Sequence, residues 1–463
     1  MSQLEKNLEK GNKMRTMHEG KLLFSMALPL ALSMLVQALY NVVDGVFVSW
    51  INDGGNAVTA LSMAFPVQNL MIGFATGVGV GMNALLSKSL GENNRERANK
   101  AAGSGILLTV LAAMLFMLFG IFGARAFFDM QSDVALTVEN GTQYISICCI
   151  GCLGIFVEVL GERLLQASGK TIFTLFTQGT GAVLNIILDY WFIFGGFGLP
   201  AMGIAGAAWA TVIGQWVAGL LAVLFNLLFN KDVDFRLRYL KPDWKMIGKV
   251  LSIGVPSVVM MAIGSVMTFC MNQVLISFKD TYGETPVGVF GIYFKLQSFF
   301  LMPVFGLNNA CVSIVAFNYG ARQPKRIINT LKYSLGTAFS LLVLGLLVFQ
   351  LLPDQLLGIF NPTEDFLVIG RSALQTVSWS FPMAAIAIAL GASFQALGNG
   401  IYSTITSLCR QLVVLVPAAY LLSLSGQVTL VWWAFPIAEV VSLTLSVLFF
   451  ARLYKKKIRP LQD

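Results

Sequence analysis

The sequence predicts an all-α polytopic membrane protein: twelve transmembrane helices in two pseudo-symmetric six-helix bundles. Three observations carry that expectation. First, the 463 residues are 56% hydrophobic and only 12% charged, where a soluble chain carries about 25% charged residues; the mean hydropathy is +0.74. Second, apolar runs long enough to cross a bilayer, which takes about 20 residues at 1.5 Å rise, recur between charged or Gly/Pro-containing breaks. Third, Gln68, Gly77, Gly91, Gln166 and Gly169 each meet the same residue type 229 positions later, at Gln297, Gly306, Gly320, Gln395 and Gly398.

In chain order the runs are 22–50, 57–86, 101–124, 139–166, 172–195, 203–229, 249–278, 286–314, 330–352, 372–396, 402–424 and 430–454. The offset of the repeat is half the chain, so the organisation expected is a polar tail (1–21), a first lobe (22–229), a basic linker (230–248), a second lobe (249–454) and a basic tail (455–463). Six spans per half is an even number, so the halves insert in the same orientation. Lys and Arg alternate between the two sides. One side holds the N-terminal tail, Lys88 to Lys100, Lys170, Arg236 to Lys245, Arg322 to Arg326, Arg410 and the Lys455–Lys457 tail; the other holds only Arg125, Lys279 and Arg371. The positive-inside rule puts the basic side, with both termini, in the cytoplasm. The net charge of +8 is thereby a topology signal rather than a nucleic-acid one, and the bilayer is the expected surrounding of the chain.

The first run contains Asp44. A carboxylate at a helix centre in a bilayer costs roughly 2.5–3.5 kcal/mol on insertion scales, so it implies a partner or a task. Gln37, Tyr40 and Asn41 precede it by seven, four and three positions and share its helical face. Asp44 lies 23 residues past Lys21 and Asp189 lies 19 past Lys170, roughly 34 and 28 Å along their helices, so both reach the outer half of the membrane. Asn185 is one turn from Asp189, and Thr211, roughly 12 Å into a descending span, lies at comparable depth. Carboxylate, amide and hydroxyl oxygens in that combination suit a proton or a hard cation such as Na⁺. The repeat-related positions are Met271, Val414, Ala418 and Val440, so the fold does not demand this polar set. Glu158 and Glu162 share a face of the fourth run and are candidates to line a cavity for cations, or to pair with Arg163 or Lys295. Lys295 and Glu439, in the second half, read as a structural ion pair.

Several chemistries are excluded or weak. The only histidine, His18, lies in the tail. The CxxC at Cys149–Cys152 has no further ligand and reads as buried small side chains. SGKT at 168–171 imitates the end of a P-loop, but Leu164 stands where its first glycine is required. No ATP site, cofactor or metal is expected beyond Na⁺ at the Asp44 set, and no nucleic-acid partner. Gly73, Gly77 and Gly81, at four-residue spacing, read as close helix packing.

The motifs ALPLAL (27–32), VVDGVFV (42–48), GENNRERA (91–98), LLQASGKT (164–171), LNIILDYWFIFG (184–195), GIAGAAWAT (203–211), SIGVP (252–256), YGARQ (319–323) and FQALGNG (394–400) resemble those of the multidrug and toxic compound extrusion (MATE) exporters, over about residues 20–454. The resemblance implies two six-helix bundles in a V around a central cleft, with alternating access. It implies export of cationic amphipathic compounds in exchange for H⁺ or Na⁺. Within it, Asp44, Asn185, Asp189 and Thr211 match the first-lobe cation site of the branch containing the DNA-damage-inducible and archaeal members; Tyr40 and Gln37 border that site, and Pro29 takes the place of a bend in the first span. Another branch places a glutamate and an aspartate in the second lobe, where this chain has Gly264 and Ile386. Glu162 and Gln166 depart from the asparagine and arginine common in the fourth span.

The expectation is therefore an ion-coupled antiporter, not an enzyme, acting as a monomer in a prokaryotic cytoplasmic membrane. Its rivals are an exporter of lipid-linked saccharides, for which a basic cavity is expected, and a membrane-embedded transferase, for which clustered acids at a membrane face are expected.

Overall fold

Charged residues that punctuate the sequence do not stop the helices, which run on past Lys88 and Lys245. In the computed structural model, which describes residues 13–51, 56–196, 198, 200–234, 236–283, 285–360 and 364–461, the long elements of the first half are α1 (Glu19–Ser49), α2 (Asn56–Gly91), α3 (Arg95–Phe122), α4 (Ala135–Ile150), α5 (Leu153–Ala167), α6 (Ile172–Phe194) and α7 (Ile204–Phe229). Those of the second half are α8 (Trp244–Ile276), α9 (Thr285–Gly320), α10 (Pro324–Leu351), α11 (Glu364–Ser378), α12 (Phe381–Ala396), α13 (Gly400–Leu408, continuing through a π segment at Cys409–Leu415 and on to Val416–Ser423) and α14 (Ala434–Leu453). Among the described residues, ten helices are long and apolar enough to span a membrane. The pairs α4–α5 and α11–α12, bent by 46° and 48°, make twelve. The fold is all-α, a multi-pass membrane protein.

The sequence repeat is a backbone repeat. The bends fall after Ile150 and Ser378, around Gly151 and Ser380, which are 229 positions apart. Two non-glycine residues among those described have positive φ, Asn93 (55°) and Arg322 (54°), and they too are 229 apart. Each turns one helix into the next. The left-handed conformation costs a side-chain-bearing residue about 1–2 kcal/mol, so its occurrence at both places reflects a turn the fold needs twice. Asn94 then caps α3 by accepting from the Arg97 N–H at 2.9 Å, whereas Pro324 starts α10 with a preset φ and no N–H to satisfy. Gly169 and Gly398, another repeat pair, both have φ 75°.

The chain forms two compact units. One comprises Leu32–Val258 with the described tail residues through Thr16; the other comprises Met17–Ala31 and the chain from Val259 onward. Helices α1 and α8 therefore each divide between units, two residues beyond Pro29 and Pro256 respectively. Glycines make room for both arrangements. A Cβ on Gly77 of α2 would stand 2.5 Å from Val258 Cγ2 and 2.8 Å from the Gly254 carbonyl oxygen; one on Gly81 would stand 2.2 Å from the Val250 carbonyl oxygen. In the other unit a Cβ on Gly306, the repeat partner of Gly77, would stand 2.5 Å from the Ala31 nitrogen. Around Gly81, Met246, Val250 and Ile253 of α8 pack with Val80, Leu85, Ala98, Ala101 and Leu160.

The close packing expected of Gly77 and Gly81 is thus present, with backbone as the neighbour, which cannot rotate away. Gly81→Val should destabilise the protein by about 1–3 kcal/mol, as overpacking does. The six cysteines are free, four of them buried, so a thiol-reactive fluorescent dye reports unfolding, and its midpoint should fall in the variant.

Candidate functional site

Small residues bring α6 and α7 together. A Cβ on Gly181 would meet the Gly214 carbonyl oxygen at 3.1 Å, one on Gly214 would meet the Gly181 carbonyl oxygen at 2.9 Å and Asn185 Cβ at 3.2 Å, and one on Gly206 would meet the Phe192 backbone at 2.5 Å. At this separation Thr211 of α7 lies beside Asn185 of α6. Asn185 is 3% exposed and Asp189, one turn further, is 0% exposed. The Asn185 amide satisfies both its ends when its nitrogen donates to Asp189 Oδ2 at 3.2 Å and its oxygen accepts from the Thr211 backbone N–H at 3.1 Å. Turned the other way, it reaches the Thr211 hydroxyl at 3.4 Å but sets its oxygen against acceptors, so the first orientation is the one chemistry selects.

Asp44 of α1 stands within electrostatic range of Asp189, and the Tyr40 phenol within range of Asp44, Asp189 and Glu158. Asp44 Oδ1 and Asp189 Oδ1 are both buried without a hydrogen-bond partner, and among the described residues no ion pair reaches either carboxylate. A buried anion without a counter-ion is among the most costly features a fold can carry. The arrangement can lower that cost by taking up a proton or a small cation, for which Asp44, Asp189, the Asn185 amide and the Thr211 hydroxyl offer oxygens.

The remaining candidates lie on α1 and α5. Gln37 and Tyr40 are half-buried on α1; Pro29 is buried inside the same helix, two residues before it changes unit. The side chain of Asn41 lies outside the described residues. On α5, Glu162 is 4% exposed and accepts from Thr177 Oγ1 at 2.8 Å and from Gln178 Nε2 at 3.1 Å. Arg163 donates instead to Gln166 Oε1 at 3.0 Å, and a Cβ on Gly79 would stand 2.8 Å from its Cγ. Glu158 is half-buried one turn from Glu162. Glu162 is thus tied to α6 by neutral donors rather than by a salt bridge.

Two expectations for the second half are corrected. Arg410 is not a loop residue at the basic side but lies within the span Gly400–Ser423. It, rather than Lys295, pairs with Glu439, Nη1 to Oε1 at 2.7 Å; Lys295 is exposed. The signal was in the sequence, since Arg410 sits inside an apolar run, but a positive charge near a loop is assigned to the loop by the positive-inside rule.

A two-fold repeated, twelve-span α-helical chain, with paired acids buried in one half and discontinuous helices at equivalent places in both, defines a membrane transporter rather than an enzyme. The MatE family model matches residues 29–191 and 256–421, and the chain belongs to that family. It is 26% identical over 438 residues to the probable multidrug resistance protein YoeA of Bacillus subtilis (strain 168), covering 93% of each chain. It is 22% identical over 427 residues to the multidrug export protein MepA of Staphylococcus haemolyticus, covering 92% of each. Among solved structures, a MATE protein in complex with MaL6 matches with a TM-score of 0.89 at 25% identity, over 98% of this chain and 99% of that one.

Proposed function

We propose that the chain exports cationic amphipathic compounds from the cytoplasm, in exchange for H⁺ or Na⁺ bound at Asp44 and Asp189. The observation that carries the reading is the fully buried Asp189, held by Asn185, with one carboxylate oxygen unpartnered and Asp44 nearby. Such a site has different affinity for an ion when its surroundings open to one side or the other. An ion drives a conformational equilibrium only through that difference. The multidrug names of YoeA and MepA support a small-molecule cargo. The acids in the first half support a positive charge on it: Glu158 and Glu162 add to the Asp44 pair. The distribution of Lys and Arg supports cytoplasmic termini.

The test is efflux of the organic cation ethidium from proteoliposomes, under an imposed pH gradient and then an imposed Na⁺ gradient. Movement against the ethidium gradient under only one of the two supports the reading and identifies the ion. No movement under either overturns it and favours a lipid-linked saccharide as cargo.

A further inference from the structure

The second unit contains a charged pair that the ion-exchange reading does not use. Arg410 lies ten residues into α13, roughly 15 Å from its start, near the middle of a bilayer core about 30 Å thick. Its Nη1 donates to Glu439 Oε1 at 2.7 Å. The two ends of the pair differ. Glu439 is 9% exposed in its side chain and its Oε2 is buried without a partner, whereas 31% of the Arg410 side chain is open. The buried Tyr293 phenol lies within electrostatic range of both. Helix α13 widens into its π segment at Cys409–Leu415, the turn that carries Arg410; π segments inside α-helices are frequent at functional sites.

The fold does not require this pair. Subtracting the repeat offset, Arg410 corresponds to Gly181 and Glu439 to Ala210. In the first unit the equivalent helices pack directly at that level, with Gly181 against Gly214 and Ala218. A buried ion pair is often no more stabilising than apolar residues of the same volume, so stability does not account for it either. A charged side chain exposed to lipid hydrocarbon is costly, and water or a ligand at the open part of Arg410 would lower that cost. A planar fork of N–H donors matches a carboxylate, while an approaching cation is repelled.

We propose that Arg410, held in place by Glu439 beside Tyr293, is a recognition site for the carboxylate of an amphipathic compound that also carries a positive charge. The inference rests on the small-molecule reading of the cargo but not on ion coupling, so its test is equilibrium binding. A rhodamine dye with a free carboxylate and its methyl ester are titrated against the detergent-purified protein by fluorescence polarisation. Wild type is expected to bind both. The double variant Arg410→Gln with Glu439→Gln removes both charges together and is expected to weaken the acid by about tenfold or more, the loss of one charge-assisted hydrogen bond, while the ester changes by less than about twofold. Arg410→Lys, which keeps the charge but not the fork, is expected to fall between. Equal shifts for the two dyes, or an unchanged affinity for the acid, overturn the site. A wild type that binds the ester but not the acid also overturns it, and leaves the exporter reading standing. Binding of neither dye overturns both.

Discussion

Asp44→Asn should reduce accumulation of substrate against a gradient to none. An ion gradient of tenfold holds about 1.4 kcal/mol, and one-for-one exchange converts that into a substrate ratio of about ten. A transporter that no longer binds the ion has no such term and equilibrates at a ratio of one. Asp189→Asn should do the same, since Asp44 and Asp189 lie within range of each other and Asn185 holds the second of them. The amide is nearly the shape of the carboxylate but carries no charge, so folding should be preserved: the substitution removes a buried charge that has no counter-ion. Proteoliposome uptake under an imposed gradient reads the ratio, and the thiol-dye midpoint reads the fold. Uphill transport by Asp44→Asn would show that the first unit does not couple the ion.

The second large effect is on stability. Arg410→Met should destabilise the protein by about 3–5 kcal/mol, the range for breaking a buried pair from one side. The value should lie toward the lower end, because Arg410 is partly open. The physical cause is not the lost attraction but the partner left behind, since Glu439 then stands buried with neither oxygen paired. Adding Glu439→Met to Arg410→Met should restore most of the loss. Thermal unfolding followed through the buried thiols distinguishes the two cases. A single variant as stable as wild type would mean that Glu439 finds another donor.

Much of the candidate site was legible because a charge in an apolar run is conspicuous. Asp44, Glu158, Glu162 and Asp189 stand out one by one, and helical periodicity puts Gln37 and Tyr40 on the Asp44 face and Asn185 on the Asp189 face. Thr211 is harder to read, since threonine is common in spans; its depth and its place at the end of GIAGAAWAT (203–211) single it out. Arg410 is obscured for the opposite reason. Its charge was visible, but topology rules treat Lys and Arg as loop markers, and its partner is 29 residues away on another helix.

By itself the sequence determined the all-α membrane class, the twelve spans and the half-chain repeat, because hydropathy, helix length and a fixed offset are properties of the chain read locally. The structure added that turns recur with the repeat, as Asn93 and Arg322 take up the same backbone conformation. Only the tertiary structure decided which partners these elements meet. It divides α1 and α8 between units just past Pro29 and Pro256, and it breaks the fourth and tenth spans into bent pairs. It gives Glu162 to Thr177 and Gln178, and Glu439 to Arg410. Each of these depends on how closely two helices approach. At α2–α8 and α6–α7 that distance is set by glycines on facing surfaces far apart in sequence, Gly77 with Gly254 and Gly181 with Gly214, and no local pattern records which surfaces will face.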